Sequence, residues 1–228
     1  MNLDKEQLHH IREFITQKGF NYVDVQMEIL DHVASAVEER MNDNDTLSFD
    51  QALKETHQSF GVMGFSVISD GIINALSKKY SRVFWRKFAT PFGPKYIVLI
   101  IASLFVLYKL QTMVANRMQF TIILISFIII LTFVTTVIGF RSRKFKKLMS
   151  YRIAKTYIPL GGVFLVNLSL YFGKVESGSI MGLNAYYVIV SIIFTLFMVY
   201  VYAGLSTAIK GVDESRLLME KYNLVTAS

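Results

Sequence analysis

The sequence predicts an all-α, polytopic membrane protein with four transmembrane helices and a small N-terminal helical domain in the cytoplasm. The chain has 228 residues, of which 53% are hydrophobic and only 18% are charged, whereas soluble domains are roughly 25% charged. Residues 1–77 carry a net charge of −8 and residues 78–228 a net charge of +15. Long apolar stretches alternate with basic clusters in the second part. This pattern excludes a typical soluble enzyme, and the absence of Cys excludes disulfides and thiolate metal sites.

The N-terminal segment is expected to form three short helices. Residues 3–18 and 22–42 place apolar side chains at helical spacing, and Ser48–Gln51 has the pattern of a capping box that opens a third helix. Gly19 and Gly61 are expected to end the first and third helices. The second helix is predicted to carry one apolar stripe: Val23, Met27, Leu30, Ala34, Val37 and Met41.

The next segment, residues 65–94, is predicted to be an amphipathic linker helix at the membrane interface. Its apolar residues recur at helical spacing, and its aromatic and basic side chains are those typical of helices that contact headgroups. A straight cytoplasmic helix packed on its neighbours is the alternative. Pro91 and Pro94 are expected to break the helix before the first span. The residues predicted to contact the membrane interface are Arg82, Trp85, Arg86 and Lys87.

Four apolar stretches are predicted to cross the bilayer within a domain of residues 95–210. A spanning helix needs about 20 apolar residues. Three stretches carry no charge, whereas Lys109 interrupts the first, for which a buried core helix is the alternative. The predicted spans are residues 96–116, 118–140, 156–173 and 177–209.

The basic residues predict the orientation of these spans. Of the 19 Lys and Arg residues after residue 77, 16 lie before the first span, between the second and third, or after the fourth. Cytoplasmic loops carry such an excess, so both termini, including a tail over residues 211–228, are expected in the cytoplasm of a bacterium with the protein in its inner membrane. Membrane lipids, including anionic headgroups, are expected partners, and nucleic acid is not needed to explain the charge.

Apart from Lys109, whose long stem would let its amine reach the headgroups, the interiors of the predicted spans contain no charged residue. Because such residues mark ion and proton pathways, proton-coupled transport is disfavoured. Small residues allow close approach of helices, and an amide in a span favours an interhelical hydrogen bond. The predicted helix-packing residues are Gly161, Gly162 and Asn167.

The N-terminal residues also carry a resemblance. A polar turn and Ser48–Leu53 follow a helix that contains Asp24-Val25-Gln26, Glu28 and Asp31-His32. This order resembles the HAAS-type signalling domain, a three-helix module that precedes bacterial membrane spans. It is also similar to a group of bacterial four-span membrane proteins with this N-terminal signature. The chain departs from the HAAS pattern after Gly61, where the Pro is missing. The resemblance, over about residues 5–65, implies a sensor or adaptor and supplies no catalytic residue.

No motif for catalysis, cofactor binding or metal binding is found in the sequence. Glu28 and His32 share a helix face, as do His9 and Glu13, but two His on one face are absent. The acidic three-helix domain, residues 1–64, is expected to bind another protein or a second copy as a non-enzymatic adaptor, sensor or scaffold. A subunit of a small-solute transporter or channel, or a lipid-modifying membrane enzyme, are the alternatives. The partner-binding candidates are Asp24, Gln26, Glu28, Asp31 and His32.

Overall fold

The computed structural model describes residues 2–114, 116–141, 143–157 and 178–227. These residues are almost entirely helical, which confirms the all-α prediction. A two-stranded antiparallel hairpin pairs β1 (Ser179–Ile180) with β2 (Leu183–Asn184). The helices are α1 (Lys5–Gln17), α2 (Val23–Asp43), α3 (Phe49–Ser59), α4 (Ser66–Ala89), α5 (Ile97–Met113), α6 (Arg117–Arg141), α7 (Met149–Lys155) and α8 (Ala185–Ala227), with short 3-10 turns at Thr90–Phe92 and Arg143–Phe145.

The chain forms two compact units. The first comprises Met1–Lys79, Lys144–Arg152 and Glu214–Ser228, and the second comprises Tyr80–Arg143 and Ile153–Asp213. Each unit therefore collects segments that are distant in the sequence.

The first unit contains the helix cap and the glycine helix ends that the sequence predicts. The Ser48 hydroxyl accepts the Gln51 N–H, while the Gln51 side chain accepts the Ser48 N–H, so the predicted capping box is confirmed. Gly19 and Gly61 follow the first and third helices with φ of 94° and 69°, a conformation that favours glycine. The buried apolar core consists of Ile11, Ile15, Val25, Ile29, Val33, Val37, Met41, Ala52, Leu53 and Phe65.

The predicted stripe of α2 packs against the core at Leu30, Ala34, Val37 and Met41, but it is not the row that is buried most deeply. The buried row runs Val25, Ile29, Val33, Val37 and Met41, spaced four residues apart, whereas the predicted Val23, Met27, Leu30 and Ala34 are only half-buried. The reason is that α2 packs against both α1 and α3. Its apolar arc is therefore wider than one stripe, and the row between its two neighbours is the one buried most deeply.

In the second unit, apolar contacts join the membrane-type helices. Phe120 on α6 is buried with Tyr186 and Val190 of α8, and Ile128 is buried with Phe197 further along the same pair. Much of the remaining apolar surface of α5 and α6 points outward: Val98, Leu99, Ile101 and Phe105 on α5, and Ile122, Ile129, Ile130 and Phe133 on α6. Monomeric soluble proteins rarely expose apolar surface on this scale.

Two helices are long and apolar enough to cross a membrane. Their candidate segments are Gln119–Val137 and Ala185–Glu220. A third candidate is a bent pair, in which Ser66–Phe92 and Ile97–Met113 meet at an angle of 73°. The described chain therefore has two such helices, or three if the bent pair counts as one span. The predicted third span, residues 156–173, lies outside the described residues from residue 158 onward.

Candidate functional site

The N-terminus of α2 contacts a chain segment more than 120 residues away. Both Asp24 carboxylate oxygens accept backbone hydrogen bonds, Oδ1 from Met149 N–H and Oδ2 from Ser150 N–H, each at 2.8 Å. Met149 and Ser150 are the first residues of α7, whose opening N–H groups have no partner within the helix. A carboxylate at this position satisfies both donors and is favoured by the helix dipole.

Two further contacts flank this carboxylate. The Val23 N–H donates to the Lys147 carbonyl at 2.9 Å, and the Arg152 guanidinium donates to the Tyr22 hydroxyl. The same guanidinium lies 5.7 Å from the centre of the Tyr22 ring, within the range of a cation–π interaction. We call this set the α2–α7 junction: Tyr22, Val23 and Asp24 with Lys147, Met149, Ser150 and Arg152.

The segment on the other side of the junction is itself well packed in the first unit. Leu148 is fully buried, and Met149 packs against the apolar core of the three helices. Ser150 is buried with Ser215 of α8, at 3.4 Å between their hydroxyl oxygens. The basic segment 144–152 is thus anchored by main-chain hydrogen bonds and buried contacts.

Gln26, another partner-binding candidate, is buried inside the first unit. Its Nε2 donates to Thr16 Oγ1 at 3.0 Å and to the Phe20 carbonyl at 2.6 Å. These bonds tie the start of α2 to the end of α1 and the turn that follows it. The structure therefore gives Gln26 and Asp24 partners within the chain.

The other three candidates lie on an exposed face of α2. Glu28 and His32 approach to 3.8 Å, with more than half of each side chain exposed, and Asp31 is exposed beside them. Ser35 and Glu39 continue the face at helical spacing. We call this surface the α2 outer face: Glu28, Asp31, His32, Ser35 and Glu39. It carries three carboxylates and no Lys or Arg.

Among the described residues, no three His, Asp or Glu side chains are grouped as metal ligands. The Glu28–His32 and His9–Glu13 pairs each stay within one helix. His57 is instead packed between rings, 4.9 Å from Phe65 and 5.3 Å from Phe14. Burial, and secondarily the charge of Lys18, lowers the pKa of His57 below its usual 6.5.

Trp85, predicted to contact the membrane interface, is 60% exposed on α4. Its ring lies edge-on to Phe84 at 5.4 Å and to Phe88 at 5.6 Å. Arg82 and Arg86 are exposed on the same helix, whereas Lys87 is half-buried. The structure thus places an exposed indole among cations, the arrangement that headgroup regions favour.

The predicted helix-packing residues Gly161, Gly162 and Asn167 lie outside the described residues. A residue that the sequence reasoning missed takes a corresponding role. Gln111 on α5 is 2% exposed, and its Nε2 donates to Ser191 Oγ at 2.8 Å and to the Tyr187 carbonyl at 3.1 Å. The signal was present, because an uncharged amide within a long apolar stretch is costly unless it bonds across helices.

No protein-family model, curated protein or solved structure matches this chain. The resemblance to HAAS-type domains therefore stays a prediction from the residues.

Proposed function

We propose that this chain is a four-span protein of the bacterial inner membrane whose cytoplasmic helical unit is a non-enzymatic adaptor, sensor or scaffold. The observation that carries the proposal is that the two parts of α2 have different surroundings. Its first turn is fixed to segment 144–152 through Asp24, while its outer face stays exposed along the helix. A partner bound to the outer face is thereby coupled to a segment that the sequence places between two spans.

Four spans account for the described helices and the charge pattern together. In this proposal α6 and α8 supply two spans, α5 of the bent pair supplies a third, and residues 156–173 supply the fourth. An even number of spans puts both termini on the same side, and the positions of the basic clusters put that side in the cytoplasm. Because α8 is 43 residues long, it would extend about 64 Å, so its C-terminal part lies beyond the bilayer.

The part of α4 near Trp85 fits a helix that lies along the membrane surface. The 73° bend after Phe92 would let α5 enter the bilayer while α4 stays close to its plane. Exposed Trp85 would reach the interface beside Arg82 and Arg86, which attract anionic headgroups. This supports the interface contact over a straight cytoplasmic helix.

The α2 outer face suits a protein partner with a basic surface. Its three carboxylates, Glu28, Asp31 and Glu39, lie on one side of a helix whose opposite side is buried in the core. Complementary charge of this kind mainly sets partner choice and the rate of encounter. A second copy of this chain or another protein are both compatible with the proposal.

The experiment is affinity purification of the tagged full chain in mild detergent, with quantification of the proteins that co-purify. The double variant Glu28→Lys/Glu39→Lys reverses the charge of the α2 outer face, and Glu13→Lys is the matched control on the exposed side of α1. We expect a partner that is lost with the double variant and retained with the control. An identical set of co-purifying proteins for all three chains would contradict the proposal.

A further inference from the structure

An apolar groove runs between α5 and α8 in the second unit. Its volume is about 430 Å³, within the range of small-molecule sites. Leu99 and Val106 form one wall and Met198 and Tyr202 the other, while Pro91 lies at one end. All four wall residues are exposed, so the groove is open along its side.

The hydroxyl groups of Ser103 and Thr195 in the groove are hydrogen-bonded within the protein. The Ser103 hydroxyl, which lies in the groove, donates to the Ile100 carbonyl at 2.8 Å and lies 3.5 Å from the Thr195 hydroxyl. These bonds satisfy the hydroxyls within the protein. The groove therefore favours a hydrocarbon chain over a polar solute.

The chain on both sides of Pro91, which lines the groove, is basic. Lys87 precedes Pro91 by one helical turn, Lys95 follows it by four residues, and exposed Trp85 lies on the same helix as Lys87. From residue 71 to residue 175 the chain contains no Asp or Glu. An occupant with an anionic group at this end and an apolar chain beyond it would match both features.

We propose that the α5–α8 groove binds one acyl chain of an anionic phospholipid, with the headgroup held by Lys87 and Lys95. The inference rests on the membrane insertion proposed above and adds a specific lipid site to it. A second copy of the chain fits less well, because a symmetric pair in one membrane would bring the same cations together at this end.

The experiment titrates the full chain in mild detergent with lipids and counts bound molecules by native mass spectrometry. The probes are dioleoyl phosphatidylglycerol, dioleoyl phosphatidylcholine and oleate. We expect one phosphatidylglycerol per chain to bind in preference to phosphatidylcholine. Equal binding of the two phospholipids, or binding of oleate without phosphatidylglycerol, would overturn the inference.

Matched variants locate the site. Val106→Phe fills the groove, and Ile101→Phe adds the same bulk to an exposed residue of α5 that does not line it. Of these two variants, only Val106→Phe should weaken the binding of both phospholipids. Leu99→Phe is the second variant that fills the groove, for use if Val106→Phe does not fold. Lys95→Gln should weaken the binding of phosphatidylglycerol by about fivefold and leave the binding of phosphatidylcholine unchanged. Lys109→Gln should change the binding of neither lipid.

The outcomes separate this inference from the proposed function. If the filling variants and Ile101→Phe behave alike, the groove is not the lipid site. If the spectra show a dimer that Val106→Phe dissociates, a second copy occupies the groove and the lipid proposal is wrong. Either result leaves the proposed membrane topology intact, whereas a chain that fails to insert across a membrane would overturn both.

Discussion

The two units of this protein are stabilised by opposite means. In the first unit, short helices have side-chain caps, bury a compact apolar core and use Asp24 to hold a distant helix start. In the second unit, long apolar helices leave many large apolar side chains exposed and share a few polar contacts such as that of Gln111. Under the proposed membrane insertion, the difference follows from the solvent, because water drives apolar side chains inward whereas lipid does not.

The largest expected effect contrasts one isoleucine in each unit. Ile29 is fully buried in the first unit, whereas Ile130 on α6 is 62% exposed. Ile29→Ala should lower the free energy of unfolding by about 2–5 kcal/mol because it leaves a cavity. Ile130→Ala leaves none and should cost only about 0.5 kcal/mol. Denaturant unfolding of both variants in the same detergent compares them, and equal losses would contradict the assignment of separate solvents.

The next effect concerns the α2–α7 junction. Asp24→Ala leaves the Met149 and Ser150 N–H groups without their acceptor and should destabilise the first unit by about 1–3 kcal/mol. Hydrogen exchange at these two amides should accelerate in the variant. Asp31→Ala, on the exposed face of the same helix, is the control and should leave the exchange unchanged. Unchanged exchange in Asp24→Ala would show that the junction does not stabilise α7.

A smaller effect is expected for the polar contact in the second unit. Gln111→Leu removes the hydrogen bonds to Ser191 and Tyr187, and such bonds in membrane proteins are worth about 0.6 kcal/mol on average. The free energy of unfolding, measured by titration with sodium dodecyl sulfate, should fall by about this amount. Gln119→Leu, at an exposed position of α6, should not shift it. A loss well above that of Asp24→Ala would reverse the comparison of the two units.

The smallest effect is a pH dependence of the first unit. The pKa of His57 is lowered on folding, chiefly by burial and then by Lys18, so the unfolded chain binds its proton more tightly. The stability that neutral His57 contributes is present above pH 6.5 and is lost as the pH falls from there towards the lowered pKa. The free energy of unfolding should therefore decline below pH 6.5.

A pair of histidine variants tests this origin of the decline. His57→Gln should flatten the dependence, while His9→Gln, which is exposed on α1, should retain it. The effect is small because His57 is only half-buried. A decline in His57→Gln as steep as in the original chain would mean that other groups cause it.

The features predicted well are those that depend on neighbouring residues. The Ser48 capping box and the glycine ends at Gly19 and Gly61 need only a few residues of context. The apolar stripe of α2 did not reveal which row is buried most deeply, because that depends on which helices pack on either side. Asp24 was assigned to partner binding because nothing near it in the sequence indicates the α7 amides, which lie about 125 residues away.

In the second unit, too, the sequence predicted the helices but not the contacts between them. Apolar length and basic clusters predicted membrane-type helices, which α6 and α8 supply. They could not reveal that Gln111 pairs with Ser191, because the neighbour of α5 depends on packing rather than on composition. The groove beside Ser103 could not be predicted either, because its walls come from α5 and α8, which are far apart in the sequence.

The most direct test of the account is the side of the membrane on which each unit lies. The chain has no Cys, so Ser35→Cys on the α2 outer face and Ser179→Cys in the hairpin each provide one labelling site, and both positions are exposed. In intact spheroplasts an impermeant maleimide should label position 179 and not position 35, and in inverted vesicles the reverse. Labelling of position 35 from outside, or of both positions from the same side, would contradict the account.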